Sequence, residues 1–454
     1  FMAMDIKQEK IDDLNALLRV KVSPEDYSEK VDETLKNYRK QANMPGFRPG
    51  KVPMGLIKKK FGPSVVAEEV NKVINNALYE HITSNEVDIL GNPMPKVDEE
   101  NDIDWANPAE MEFTYEIGLA PSFDVKLSKK DKVAYHKVIV DDSVIDKQVD
   151  DFARRYGKLV PVDQAEEKDM LLGSFKELDG SGNEKEGGIL HTSTISIEFL
   201  DDDKIKKKLT GLKVGDSIVV NPEEVSKGEA DKAAMLGITK DELEGVSEEF
   251  EYTVSEIKRM EPAAVNSQLF DKIYGEGNVT TEEDFRGKIR TEMETMFNRD
   301  SDKVFKRDLS NKLIDKLKLK LPDEFLKRWI QATNEKEISL EQIEEEYEQY
   351  AKSLRWQLIE NKIISENELK VEQEEVVDYT KGLLIQQYAQ YGLPAPEEDQ
   401  LNESAMKVLQ NQDEAKRVYE AIYETKIVAF AKENIKLEEK ELSYEDFVKV
   451  ATEQ

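Results

Sequence analysis

The sequence predicts a multidomain α+β chain with a mixed α+β N-terminal region, a β-rich middle and an elongated all-α C-terminal region. Three observations carry this reading. The chain has 454 residues, room for roughly three domains at about 150 residues each. Strand-like alternation and helical spacing mix before about residue 125, short strands with Gly-rich turns fill 161–260, and helical spacing takes over from Pro262. Hydrophobic residues make up 39% and cysteine is absent. That composition supports several modest cores and excludes disulfides, thiolate metal sites and cysteine nucleophiles. The expected domains are 1–125, a connector at 126–160, then 161–260 and 261–454.

In the first region Leu18, Val20 and Val22 alternate with Arg19 and Lys21, the period of a half-buried strand. Ser23, Pro24, Glu25 and Asp26 then open a helix, with a good N-cap, a proline at the first helical position and two acids in the positive first turn. Tyr27, Val31, Leu35 and Tyr38 mark its apolar face. A second helix carries a stripe through Val65, Val66, Val70, Val73, Ile74, Ala77 and Leu78. Asn92-Pro93-Met94-Pro95 reads as a chain break, and Met111 to Ile117 as a closing strand.

The connector reads as a strand over Val133 to Val140 and a charged helix over Asp141 to Tyr156. Beyond it, turns are marked by Asp179-Gly180-Ser181-Gly182, Gly187-Gly188 and Val214-Gly215-Asp216. Strand composition recurs at Thr192 to Phe199, Ser217 to Val220 and Phe250 to Ile257. In the last region Thr280 and Glu283 form a capping box. Leu321-Pro322 separates two helices, polar helices span 340–360 and 372–391, and Gly392 with Pro394 stops the second. A final helix covers 403–435.

Many chemistries find no foothold. No run of about 18 apolar residues is present, so no segment is expected to span a bilayer. No apolar leader follows Met2, so the cytoplasm is the expected compartment. His81, His136 and His191 are widely spaced and read as packing or surface residues. No metal site, catalytic residue or cofactor is expected, and nucleotide-binding and hydrolase motifs are missing. Trp329 and Trp356 fall on helices, and Met293, Met296, Phe297, Tyr347, Tyr350, Tyr379, Tyr388 and Tyr391 are scattered along the polar helices. Such soft or amphipathic side chains suit either helix packing or a surface that meets many sequences.

One segment departs from the rest. The chain carries 65 basic and 96 acidic residues, a formal net charge of −31, yet residues 36–60 hold eight Lys or Arg and no acid. A cationic island steers encounter with an anionic surface, while the acidic body opposes indiscriminate nucleic-acid binding. At its centre lies Gly46-Phe47-Arg48-Pro49-Gly50-Lys51-Val52-Pro53. The glycines permit positive φ and the prolines stiffen the turn. Arg48 can fork onto phosphate or carboxylate, Lys51 adds a point charge, and Phe47 can enter an apolar crevice or stack on a base.

The motif Gly-Phe-Arg-x-Gly-Lys-x-Pro, met at Gly46, Phe47, Arg48, Gly50, Lys51 and Pro53, resembles that of the bacterial trigger factors, ribosome-associated chaperones. The order of regions is similar along nearly the whole chain. The resemblance implies a ribosome-binding domain, a domain like the FK506-binding prolyl isomerases and a helical chaperone domain. It further implies that Gly46, Phe47, Arg48, Pro49, Gly50, Lys51 and Pro53 dock at the large-subunit tunnel exit, on a rim protein and adjacent ribosomal RNA. Arg39, Lys40, Lys58, Lys59 and Lys60 would assist by charge.

Leu209 to Asp216 resembles the family's Leu-x-Gly-Met-x-Val-Gly-Glu turn, but Leu200 to Lys208 departs from its Pro-Gly-Phe-Glu element. Phe175, Phe199, Phe250 and Tyr252 are the only aromatic residues between 161 and 260, and Ser226 to Gly245 is more charged than the family's loop. The pocket motif therefore reads as degenerate. The expected function is ATP-independent shielding of nascent, unfolded polypeptides at the ribosomal exit, with no membrane partner and with self-association off the ribosome open to a basic tip and acidic body. The rivals are an active peptidyl-prolyl cis-trans isomerase and an envelope chaperone of similar helical build.

Overall fold

The computed structural model describes residues 4–97 and 103–453. The N-terminal region comprises β1 (Ile6–Lys10), β2 (Asn15–Val22), α1 (Pro24–Gln41), α2 (Met54–Ser84), β3 (Ile89–Lys96) and β4 (Met111–Leu119). Its antiparallel sheet has the order β1-β2-β4-β3. The period-two residues Leu18, Val20 and Val22 are fully buried, and they share a core with Tyr27, Val31 and Leu35 of α1 and Val65, Val70 and Ile74 of α2. At the start of α1 the Asp26 carboxylate accepts hydrogen bonds from Ser23 N (2.7 Å) and Ser23 Oγ (3.0 Å). Pro93 and Pro95, read above as a break, lie inside β3. They are tolerated because β3 is an edge strand whose register shifts between Leu90 and Met94.

Next come β5 (Lys132–Val138), α3 (Asp142–Arg155), β6 (Lys158–Val162), β7 (Met170–Glu177), β8 (Leu190–Ser196), α4 (Asp203–Leu209), β9 (Ser217–Val220), α5 (Gly228–Leu236) and β10 (Phe250–Glu261). β10 is the spine of a five-stranded antiparallel sheet. It pairs with β7 along one side and with β9 and then β6 along the other, and β8 lies beyond β7. The charged stretch 226–245 is folded here, because α5 buries Ala233, Met235 and Leu236. The carboxylate of Glu177, 3% exposed, fastens two loops, the β7–β8 connection and the segment before β10. It accepts from Lys185 Nζ (2.9 Å), Ile189 N (2.9 Å) and both the N and Oγ of Ser247 (3.0 Å each). Burial pushes its pKa up, but these hydrogen bonds outweigh burial and hold it at about 2.

The remainder is α6 (Ser267–Tyr274), α7 (Glu282–Leu317), α8 (Asp323–Thr333), α9 (Leu340–Glu366), α10 (Gln373–Gln390), α11 (Glu398–Leu409), α12 (Gln412–Asn434), β11 (Lys436–Leu442) and α13 (Tyr444–Thr452). Three details differ from the sequence expectation. The cap of α7 is Thr281, whose Oγ1 accepts from Asp284 N at 3.1 Å, one residue later than the Thr280 and Glu283 pair. The final helix is two helices, since Asn411 turns its side chain onto the N–H groups of Asp413 (3.0 Å) and Glu414 (3.4 Å) and starts α12 afresh. The C-terminal region is helical except for β11, a charged strand that pairs with β5 in a two-stranded ribbon.

The chain forms two compact units that do not follow chain order. One joins residues 1–135 to 302–439, and the other joins 136–301 to 440–454. In the first, Phe305, Leu309 and Leu313 of α7 pack with Ile359 and Ile363 of α9 and Ile427 and Val428 of α12. Also in that unit, Phe325 and Leu326 of α8 pack with Leu90 of β3, and Trp329 joins them. The second holds the five-stranded sheet and its core around Phe175, Phe250 and Tyr252.

Candidate functional site

The basic turn joins α1 to α2 through two consecutive Pro-Gly turns. In the first, Phe47 N donates to Met44 O (3.1 Å) around Pro45 and Gly46, with Gly46 at φ 88°. In the second, Lys51 N donates to Arg48 O (2.9 Å) around Pro49 and Gly50, with Gly50 at φ 76°. Proline at the second position and a positive-φ glycine at the third are the type II pattern, and each proline fixes φ before folding. The loop is then pinned at its exit. Val52 is fully buried in the first core, its carbonyl accepts from Arg39 Nε at 2.9 Å, and Pro53 stands at the N-cap of α2.

This anchoring leaves the tip outside. Phe47 is 40% exposed, and Gly46, Arg48, Pro49 and Lys51 are exposed beside a half-buried Gly50. Among the described residues neither Arg48 nor Lys51 has an acidic partner within 4.0 Å. Their charge is therefore available to an incoming anion. The flanking cations divide. Arg39 is half-buried and committed to the Val52 carbonyl, so it shapes the loop. Lys58 pairs with Asp32 at 3.3 Å. Lys60 lies over the ring of Phe61, 5.4 Å from its centroid, and Lys40 and Lys59 are exposed. Exposed Tyr38 and Leu56 add apolar surface that the sequence reading did not assign to the site. Tyr38 belonged to the apolar stripe of α1, and only its position at the helix end, edge-on to Phe61 at 5.5 Å, brings it to the surface.

The aromatic residues of the middle region are placed differently. Phe175, Phe250 and Tyr252 are fully buried, and the Tyr252 hydroxyl donates to Leu171 O (3.1 Å) and Ser193 O (3.2 Å). Phe199 is exposed, with Lys227 Nζ 5.6 Å above its ring. The acidic run at 201–203 caps a helix, since Asp202 accepts from Lys204 N at 2.8 Å. A cavity of about 440 Å³ in this unit is lined by charged groups, among them Arg154, Glu166, Lys168, Asp169 and Arg259. It bears no likeness to an aromatic bowl.

The scattered Met and aromatic residues of the helices also separate. Phe297 and Tyr347 are buried, Met293, Tyr350 and Tyr388 are half-buried, and Met296, Tyr379 and Tyr391 are exposed. Leu383, Ile385, Leu393 and Met406 are exposed as well. With Tyr379 and Tyr391 they spread apolar surface over α10, the turn after it and α11. Trp329 and Trp356 pack against cores. His81 lies 3.3 Å from both Gln8 Oε1 and Asn85 Nδ2, and His191 Nδ1 lies 3.0 Å from Met235 O. His136 is buried. Among the described residues no cluster of His, Asp and Glu is arranged to hold a metal ion, and no helix is long and apolar enough to cross a membrane.

Three family models match in order: "Bacterial trigger factor protein (TF)" over residues 4–152, "Probable trigger factor, FKBP-like domain" over 159–262 and "Probable trigger factor, C-terminal domain" over 301–451. The trigger factor of Chlorobaculum parvum is 26% identical over 393 residues, covering 82% of this chain and 85% of its own. That of Alkalilimnicola ehrlichii is 26% identical over 469 residues, covering 98% and 95%. A solved chain from work on "Promiscuous Substrate Recognition in Folding and Assembly Activities of the Trigger Factor Chaperone" is 17% identical, covers 94% of this chain and 99% of its own, and superposes with a TM-score of 0.46. The three matched segments together take in most of the sequence, with 263–300 the longest stretch between them, and the chain belongs to the trigger factor family.

Proposed function

We propose that this chain is an ATP-independent, cytoplasmic chaperone that docks at the nascent-chain exit of the large ribosomal subunit and shields emerging polypeptide. The observation that carries the docking assignment is the tip of the double turn: Phe47, Arg48 and Lys51 are exposed, and both cations are free of acidic partners among the described residues. Phe47 enters an apolar crevice on a rim protein while Arg48 and Lys51 meet ribosomal RNA phosphate. The body, at net −31, resists lying down on RNA, so attachment is confined to the tip. The apolar surface of α10 and α11 offers weak, multi-site contact to unfolded segments, which needs no nucleotide.

Three of the four aromatic side chains of the middle region, Phe175, Phe250 and Tyr252, lie in its core rather than around a cleft, and Phe199 stands apart from them on the surface. This supports reading that region as a folded spacer with weak or no prolyl isomerase activity. The docking test is ribosome co-sedimentation of the Phe47→Ala, Arg48→Ala, Lys51→Ala triple variant at two salt concentrations. Affinity falls at least about tenfold and its salt dependence flattens. Unchanged sedimentation with an intact fold removes the docking assignment.

A further inference from the structure

Each sheet in the molecule ends in strands with an open edge, and an open edge is a template for pairing with another chain. All but one of these edges, among the described residues, are guarded. β1 carries Lys7, Glu9 and Lys10, and β3 carries Pro93, Pro95 and a register shift. β6 holds Lys158 and Pro161, β5 carries Lys132 and Lys137 toward its two ends, and β11 is studded with charge. β9 is uncharged but only four residues long, and its Val219 carbonyl is taken by Lys208 Nζ at 2.8 Å.

β8 is the exception. It pairs with β7 on one side only and ends the sheet. It is seven residues long, Leu190-His191-Thr192-Ser193-Thr194-Ile195-Ser196, within a run from Gly187 to Ile197 that has no Asp, Glu, Lys or Arg, in a chain that is 35% charged. It has no proline and no bulge, and its composition is that of a strong strand former. Ile195 faces the core and His191 reaches Met235 of α5, so the inner face is packed. On the outer face Leu190 is 68% exposed, and Thr192 and Thr194 are exposed.

We propose that the free edge of β8 captures extended, uncharged segments of unfolded polypeptide by adding them to the sheet as a further strand, main chain to main chain. This rests on the chaperone reading above. Backbone pairing is indifferent to side-chain identity, which suits a surface that must accept many sequences, and exposed Leu190 gives an apolar side chain of the guest a neighbour. A second copy of the chain is the poorer guest, because two bodies at −31 repel.

The test uses the full chain and a fluorescent Thr/Val-rich peptide of about eight residues, long enough to pair along β8. A twin peptide is N-methylated at alternate amides, equally apolar but stripped of donors along one edge. The unmodified peptide binds and slows amide exchange in β8, and the methylated twin binds at least about tenfold more weakly. Thr192→Lys with Thr194→Lys, both exposed changes, weakens binding while leaving the exchange of β7 and β10 intact. Equal binding of the twins, binding that leaves β8 exchange unchanged, or β8 protection that rises with protein concentration in the absence of peptide each overturns the proposal. Aggregation suppression and ribosome binding are scored on the same proteins. If both persist while β8 is silent, the edge assignment alone fails. If both are absent in the unmodified chain, the chaperone reading fails with it.

Discussion

Glu177→Gln isolates one buried carboxylate whose contribution to stability follows from its contacts. In the folded chain its pKa lies at about 2, against 4.5 for the free side chain. At about 1.4 kcal/mol per pH unit, that gap is worth about 3 kcal/mol to the β7–β8 region at neutral pH. Because the folded pKa is depressed, the stabilisation is complete above about pH 4.5 and is lost as pH falls toward 2. About 2 kcal/mol of it is gone at pH 3. Glutamine is nearly isosteric but turns an amide N–H₂ toward either Ile189 N or the Ser247 and Lys185 donors, so at least one buried donor is left facing another. Amide exchange of β7 and β8 in the full chain, corrected for intrinsic rates, reads the opening free energy of this sheet. The variant opens about 3 kcal/mol more easily at pH 7, and the gap between variant and parent narrows by about 2 kcal/mol at pH 3. Comparing the two proteins cancels the other carboxylates that titrate in that window. A gap that stays the same at both pH values refutes ionisation of Glu177 as the source.

Other expectations address the loop, the packing of the first unit and the middle region. Arg39→Ala removes the donor to Val52 O, costs about 1 kcal/mol and speeds exchange at Lys51 and Val52, whereas Lys40→Ala leaves these amides unchanged. Gly118→Ala places a Cβ 2.6 Å from Phe325 Cδ1 and 2.9 Å from Pro322 Cγ. It lowers the stability of the α8 packing by about 1–3 kcal/mol, seen as an earlier urea midpoint in Trp329 fluorescence. Tyr252→Phe deprives Leu171 O and Ser193 O of a donor and destabilises the five-stranded sheet by about 1–2 kcal/mol. Prolyl-peptide turnover by the unmodified chain stays near the uncatalysed rate, and robust turnover would overturn the spacer reading.

Local order was legible because local forces set it. Period-two apolar residues gave β2, the Ser23-Pro24 signal gave the start of α1, and the Pro-Gly pairs gave the double turn, since each acts through a few adjacent dihedral angles. The proposed docking residues were legible for the same reason. Phe47, Arg48 and Lys51 lie within one stiff loop, and composition alone marks their charge as anomalous. Edge status was not legible. Pro93 and Pro95 read as a break, yet they occupy β3, because proline is excluded only from strands with neighbours on both sides. The roles of the flanking cations were hidden too: Arg39 and Lys58 look alike in sequence, but one holds a carbonyl and the other reaches from α2 to an aspartate of α1.

By itself the sequence determined the order of regions, the basic tip and the absence of cysteine chemistry, all properties of adjacent residues or of totals. The tertiary structure decided which aromatic residues fill the middle core, which apolar side chains of α10 and α11 face solvent, and that residues 1–135 share a compact unit with 302–439. It also decided that β8 ends its sheet unguarded. These are matters of which distant surfaces meet, and a pattern of three or four residues along a helix cannot say what, if anything, will cover it.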